Sequence, residues 1–202
     1  MTDTAFDSDT LDFYAREAGV YAARASAKPS RHLNDFLTRL TPGARILELG
    51  CGGGQDSAQM IAAGFDVDPT DGAPEMAAQA AVRLGRPVRT LRFETLEAVE
   101  NYDAVWANAS LLHAPHAALP GLIGRIWRAL RPGGWHFASY KCGTAEGRDS
   151  LGRYYNYPGP DALIETYRAA ADWSEILDER YAGGGYDGVP VPWIAVTLCK
   201  PG

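Results

Sequence analysis

The chain has 202 residues, 46% hydrophobic and 22% charged, which suits one globular domain with a full core. Its formal net charge of −6 at pH 7 argues against a nucleic-acid partner or an acidic membrane surface. Cys51, Cys142 and Cys199 are odd in number and far apart, so no disulfide framework or Cys-x-x-Cys metal site is expected and a reducing cytoplasm is. The polar N-terminus carries no expectation of a signal peptide, and no apolar run is long enough to suggest a membrane span.

Residues 11–24 have weak helical periodicity and put Tyr14 and Tyr21 on one face. Ser30 reads as the N-cap of a second helix whose stripe is Leu33, Phe36, Leu37 and Leu40. Residues 1–43 are therefore expected to form a helical N-terminal cap. Thr41-Pro42-Gly43 leads into a buried strand at 45–49, a glycine loop, and a helix over 55–63 with Gly64 as its C-terminal cap. A second strand at 65–70 ends in Asp71-Gly72, and Pro74 opens a helix to about Leu84. A third strand falls at 88–92 and a fourth at 103–107. Leu122, Ile123, Ile126, Trp127 and Leu130 mark a helix from Leu119, broken by Arg131-Pro132-Gly133-Gly134 before a fifth strand at 135–140.

Residues 142–160, rich in Gly, Arg and Tyr, read as an irregular lid-like segment over the sheet's carboxyl end. Asp161 is placed to cap a helix through Ala171, and strands at 174–181 and 193–199 form an antiparallel pair. This alternation predicts a single α/β domain over 1–202: a doubly wound, mostly parallel sheet with helices on both faces.

The glycine loop carries the functional signal. Glu48-Leu49-Gly50-Cys51-Gly52-Gly53-Gly54 does not meet the dinucleotide spacing G-x-G-x-x-G, because the third position is Gln55 from Gly50 and Ser57 from Gly52. A pyrophosphate wants N–H donors and positive potential, which Glu48 opposes. No Gly-Lys-Ser/Thr follows either. A phosphate-free ligand bearing amino groups suits the pattern.

These residues resemble motif I (E/D-x-G-x-G-x-G) of the class I S-adenosylmethionine-dependent methyltransferases. The resemblance implies a Rossmann-like sheet of seven strands in the order 3-2-1-4-5-7-6, the last reversed, with S-adenosylmethionine as cofactor. Gly50, Cys51, Gly52 and Gly54 would pack against its methionine and ribose parts, with Glu48 tuning the loop's hydrogen bonds. Leu130-Arg131-Pro132-Gly133-Gly134 matches the family's turn before strand five.

Asp71, with Gly72 beside it, can accept from both ribose hydroxyls; the plainer reading is that it caps the next helix, and Asp68 is the rival carboxylate. Asp71 to Met76 resembles the family's D-x-S-x-x-M, with Ala73 in place of the serine. The resemblance puts adenine near Phe93 and Glu94, where Arg92 stands in a position commonly acidic, and puts Asn108 near the methionine part. Tyr14 and Tyr21 would close the cofactor pocket.

His113 is the candidate general base, against a plain role in the turn. His113 and His116 lack the further ligands a metal would need, so no metal is expected. Tyr140, Lys141, Arg148, Arg153, Tyr154, Tyr155 and Tyr186, with His113, are candidate contacts to a small polar or anionic acceptor. The expected activity is methyl transfer to a small molecule by in-line displacement. The alternatives are a non-catalytic S-adenosylmethionine-binding module and an NAD(P) oxidoreductase.

Overall fold

A computed structural model describes residues 6–24, 29–184 and 190–202. In chain order the elements are α1 (Ser8–Arg24), α2 (Leu33–Leu37), β1 (Arg45–Leu49), α3 (Gln55–Ala62), β2 (Asp66–Asp71), α4 (Pro74–Leu84), β3 (Arg89–Thr90) and β4 (Tyr102–Ala107). There follow α5 (Leu119–Ala129), β5 (Leu130–Lys141), β6 (Gly147–Arg148), β7 (Tyr154–Tyr155), α6 (Pro160–Ala170), β8 (Glu175–Gly184) and β9 (Pro190–Cys199).

The central strands are apolar on both faces, and the twofold period of a strand explains how they sort. Ile46, Ala104, Trp106 and Phe137 point to one side, where they meet Leu33 and Phe36 of α2 and Met60 of α3. Leu47, Leu49, Val105 and Ala107 point to the other, against Leu122, Ile123 and Ile126 of α5 and Leu163 and Tyr167 of α6. Burying both faces puts one β1 residue into each core in turn, so a one-residue slip would exchange the two cores.

The main sheet has seven strands in the order β3-β2-β1-β4-β5-β9-β8. Strands β1 to β5 pair in parallel, and β9 runs antiparallel to both β5 and β8. Counted without the small β6–β7 hairpin, this is the expected 3-2-1-4-5-7-6 with a reversed last strand. The order turns back between β1 and β4, the switch point at which open α/β sheets bind ligands outside the strands' carboxyl ends.

Five local expectations are corrected. Ser30 is not an N-cap: its amide donates to Asp56 Oδ1 (2.9 Å), its hydroxyl accepts from Asn108, and His32 precedes α2 without a side-chain cap. The third strand shrinks to two residues, and the fifth starts at Leu130, which already pairs with Tyr102. Residues 142–160 are not wholly irregular, since β6 and β7 pair Gly147 with Tyr155 and Arg148 with Tyr154. Asp161 lies inside α6, behind the cap Gly159, and pairs with Arg180 (2.5 Å).

Helix α1 lies across the carboxyl end of the sheet. Ala18, Tyr14 and Tyr21 pack on Ala73 and Met76 at the start of α4. Among the described residues no helix is long and apolar enough to cross a membrane.

Candidate functional site

A cavity of about 610 Å³ opens where β1, β2 and β4 end, roofed by α1. Its floor is the glycine loop. Gly50 has φ +76°, and a Cβ there would stand 2.5 Å from Ser110 Cβ, so the ends of β1 and β4 approach as closely as a glycine allows. The carbonyl of Thr70 accepts from the amides of both Gly50 (2.9 Å) and Cys51 (2.8 Å). Gly50, Cys51 and Gly52 line the cavity. Gly54 does not; with φ +79° it faces Ala80 of α4, where a Cβ would come within 3.2 Å, and it serves helix packing.

Two carboxyl groups flank the loop. Asp71 Oδ2 accepts from Gly52 N–H and its Oδ1 from Ala73 N–H, each at 2.9 Å, so one side chain fastens the loop and begins α4. Burial pushes its pKa up to about 6, against the pull of these backbone donors. Glu48 is buried beneath the loop and accepts from the Ser57 hydroxyl. Burial raises it to about 8, with Asp56 nearby adding to the rise, so the group is mostly protonated at neutral pH. Sequence reasoning missed Asp56. It accepts from Ser30 N–H (2.9 Å) and from Trp106 Nε1 (3.0 Å), joining the N-terminal arm to β4. Its first-turn position in α3 was the only signal.

Beyond β3, Phe93 and Glu94 form a 3-10 turn that borders the cavity. Glu94 Oε1 lies 2.9 Å from Arg92 Nε, yet neither carboxylate oxygen has a hydrogen-bond partner among the described residues. The Arg92 guanidinium covers the ring of Phe6 at 4.5 Å.

Beyond β4, the Ser139 hydroxyl accepts from Ala109 N–H and donates to Asn108 Oδ1, both at 2.8 Å. Asn108 Nδ2 in turn donates to Ser30 Oγ at 2.8 Å. Asn108 thus borders the cavity with its amide engaged in a structural chain. Ala109 takes φ +50°, a left-handed backbone rarely adopted by a residue with a side chain.

Under the roof, His113 Nδ1 meets the Tyr154 carbonyl (2.6 Å) and Nε2 meets the Tyr14 hydroxyl (2.9 Å). A carbonyl can only accept, so Nδ1 carries the hydrogen and Tyr14 donates to the Nε2 lone pair. Arg153 Nη1 donates to the same hydroxyl oxygen (3.2 Å), while Arg153 and Asp149 form a buried pair at 2.6 Å. Burial pushes His113 down to about 4, so it is neutral at pH 7. Asn156 fixes the turn that carries it: its amide donates to the Leu112 carbonyl, and its Nδ2 to those of Leu111 and Ala114. Thr10 Oγ1 accepts from Tyr154 N–H (2.8 Å), and Arg148 pairs with Asp7 (2.6 Å) and Asp9 (3.2 Å), binding α1 to the hairpin.

The cavity therefore gathers Tyr14, Tyr21, Glu48, Gly50, Cys51, Gly52, Asp71, Gly72, Phe93, Glu94, Asn108 and His113. Most of the expected acceptor contacts lie elsewhere. Tyr140 is buried in the core, its hydroxyl on that of Tyr167, and the Lys141 ammonium sits 4.4 Å from the Tyr155 ring centre. Arg148 faces outward to its two aspartates, and Arg153 stands behind Tyr14. Tyr154 turns its hydroxyl to Glu146 (2.5 Å), and Tyr155 stacks on Tyr157. Tyr186 falls outside the described residues. These cations are engaged by acids and aromatic rings and do not themselves line the cavity. Among the described residues no cluster of His, Cys, Asp and Glu could hold a metal ion.

Comparison with known proteins agrees with this geometry. Residues 46–134 match the family model described as Methyltransferase domain. The chain is 34% identical over 113 residues to a trans-aconitate 2-methyltransferase of Deinococcus radiodurans, covering 54% of this chain and 42% of that protein. It is 33% identical over 148 residues to a ubiquinone biosynthesis O-methyltransferase of Xanthomonas oryzae, covering 66% and 61%. The chain thus spans less than two thirds of either relative. A Burkholderia thailandensis 1,6-didemethyltoxoflavin-N1-methyltransferase, solved with 1,6-didemethyltoxoflavin and S-adenosylhomocysteine, shares the fold at a TM-score of 0.72 and 23% identity, over 96% of this chain and 87% of that one. Residues 46–134 thus match a methyltransferase domain, and sheet order and glycine loop agree with the class I S-adenosylmethionine-dependent methyltransferases, which the chain resembles.

Proposed function

We propose that this protein transfers the methyl group of S-adenosylmethionine to a small-molecule acceptor. One observation carries the reading: the candidate cofactor groups fall in a row that follows the sheet order. Glu94 stands beyond β3, Asp71 at the end of β2, Gly50 to Gly52 at the end of β1, and Asn108 to Ser110 at the end of β4. A nucleoside carrying an amino-acid tail matches that row, with adenine at Glu94 and Phe93 and ribose at Asp71.

The donor set fits the cofactor. Glu94 Oε2, which has no hydrogen-bond partner among the described residues, suits an exocyclic amine, the loop glycines allow close approach, and protonatable Glu48 and Asp71 suit a ligand that brings positive charge. A pyrophosphate would meet these acids with no compensating cation in the loop, which disfavours NAD(P). When bound, the cofactor supplies a methyl group already activated by its sulfonium.

The residues of this chain then bind, orient and exclude water. Tyr14 and Tyr21 bring aromatic faces under α1, where a cation is favoured. His113 presents a neutral imidazole whose Nε2 holds the Tyr14 hydroxyl, so the pair orients α1 over the cavity and gives the acceptor a polar edge. On this reading α1 caps the cavity, and the hairpin 147–155 braces that cap. The relatives' small-molecule names support an acceptor of the same kind, and the three free thiols support work in the cytoplasm.

The test is thermal unfolding with S-adenosylhomocysteine and with NAD. Stabilisation by S-adenosylhomocysteine alone is expected; stabilisation by NAD alone would overturn the proposal. A metabolite-pool screen for S-adenosylhomocysteine release then finds the acceptor.

A further inference from the structure

With the cofactor laid along the row from Glu94 to Ser110, the space left for an acceptor lies under the first half of α1, between Asp7 and His113. The polar hydrogens of His113, Tyr14 and Thr10 are already given to the protein. His113 donates through Nδ1 to the Tyr154 carbonyl, Tyr14 donates to His113 Nε2, and Thr10 donates to Asp7 Oδ1 (2.7 Å). What remains there accepts: the Asp7 carboxylate, and the second lone pair of the Tyr14 hydroxyl, whose first takes Arg153. The charge of the whole cavity points the same way. Asp56 and Asp71 border it with only uncharged N–H donors on their oxygens. Among the described residues Arg92 is the one lysine or arginine on the wall, and it is paired with Glu94 at the far end, beyond β3.

This wall restricts the acceptor on two counts. A carboxylate or phosphate would enter with no cation to meet it and with Asp7, Asp56 and Asp71 around it, and an unpaired buried anion is costly. The cofactor offers no lasting relief: its ammonium and carboxylate cancel, and its sulfonium charge leaves sulfur in the reaction. An alcohol fares no better. Its oxygen needs its proton removed as the methyl arrives, yet neither ring nitrogen of His113 has a free lone pair to take it, and Asp7 is committed to Arg148. A neutral nitrogen meets both conditions. Its lone pair attacks the methyl carbon, the N–C bond forms as the C–S bond breaks, and the pair of the broken bond stays on sulfur. The positive charge passes from sulfur to nitrogen within an acidic cavity, and any proton on that nitrogen leaves to water after the transfer. Before it, an N–H on the acceptor can donate to Tyr14 or Asp7. Resting on the cofactor reading above, we propose that the acceptor is an amine or nitrogen heterocycle without carboxylate or phosphate, methylated on its neutral nitrogen with no base supplied by the protein.

The test supplies the wild-type chain with S-adenosylmethionine carrying an isotope-labelled methyl group and a pool of small metabolites, and locates the label by NMR and mass spectrometry. The expected product carries the labelled methyl on nitrogen and holds no carboxylate or phosphate. A labelled methyl on oxygen, sulfur or carbon overturns the proposal while methyl transfer stands, and so does a product that keeps an anionic group. An analogue of the acceptor with a carboxylate in place of the reacting nitrogen should bind the S-adenosylhomocysteine complex at least about tenfold more weakly; equal affinity overturns the role of the acidic wall. Binding of S-adenosylhomocysteine itself is measured alongside by calorimetry. A chain that binds it but labels nothing overturns methyl transfer, and one that does not bind it overturns the cofactor reading; the acceptor class falls with either.

Discussion

Replacing Glu48 by Gln tests the most unusual electrostatic feature of the site. The folded carboxyl titrates at about 8 instead of the ordinary 4.5 because burial disfavours its charge. A folded-state pKa above the unfolded one gives a stabilisation that is complete below about pH 4.5 and lost as pH rises through about 8. At 1.36 kcal/mol per unit, the wild-type chain should lose on the order of 3 kcal/mol from this group between pH 5 and pH 8. Gln cannot ionise, so the variant escapes the loss while keeping an oxygen for the Ser57 hydroxyl. Burial also lowers His113 and His136, which contribute to both proteins alike and cancel in the difference, while the charge of Asp71 is one of the causes that raise Glu48 and so belongs to the effect measured. The assay is urea unfolding of both ligand-free proteins at pH 5, 6.5 and 8. The variant should gain on the wild type steadily as pH rises. A difference that stays flat with pH, or one that turns against the variant at pH 8, would refute the picture of a buried proton on Glu48.

Asp71→Ala should weaken S-adenosylhomocysteine binding at least about tenfold and cost about 2–4 kcal/mol of stability, since Gly52 and Ala73 lose their acceptor; unchanged affinity by calorimetry would take the ribose away from this carboxylate. Asn108→Ala should lower stability by about 1–3 kcal/mol in the same urea assay, because it strands Ser139 and Ser30. An Asn108→Ala protein as stable as the wild type would mean that this hydrogen-bond chain adds nothing to the fold.

What the sequence could disclose follows the range of each interaction. Periodicity and glycine punctuation are local signals, so β1, α4, α5 and the β8–β9 pair were legible within a few residues of their ends. So was the glycine loop, because left-handed backbone, as at Gly50 and Gly52, favours glycine whatever packs around it. The acceptor side depends on longer-range contacts. Tyr140, Lys141 and Arg153 have the chemistry of binding residues, but Tyr167, Tyr155 and Asp149 engage them first, and only tertiary packing decides such competition. Ser30 looked like a cap because its neighbours did; its real partners, Asp56 and Asn108, lie 26 and 78 positions away.

The roof of the cavity has a consequence for how such a protein can change. The matched domain covers 46–134, but α1 and the hairpin 147–155 both lie outside it and clasp each other through Thr10–Tyr154, Tyr14–Arg153 and Asp7–Arg148. Two short stretches far apart in the chain therefore hold one another, and His113, in the turn after β4, meets both. Exchanging those stretches as a pair would renew the space above the glycine loop, with Tyr155 the hairpin residue that also reaches into the core and would have to be kept. Exchanging either one alone would strand its partner's hydrogen bonds, so the heritable unit of specificity here is discontinuous in sequence.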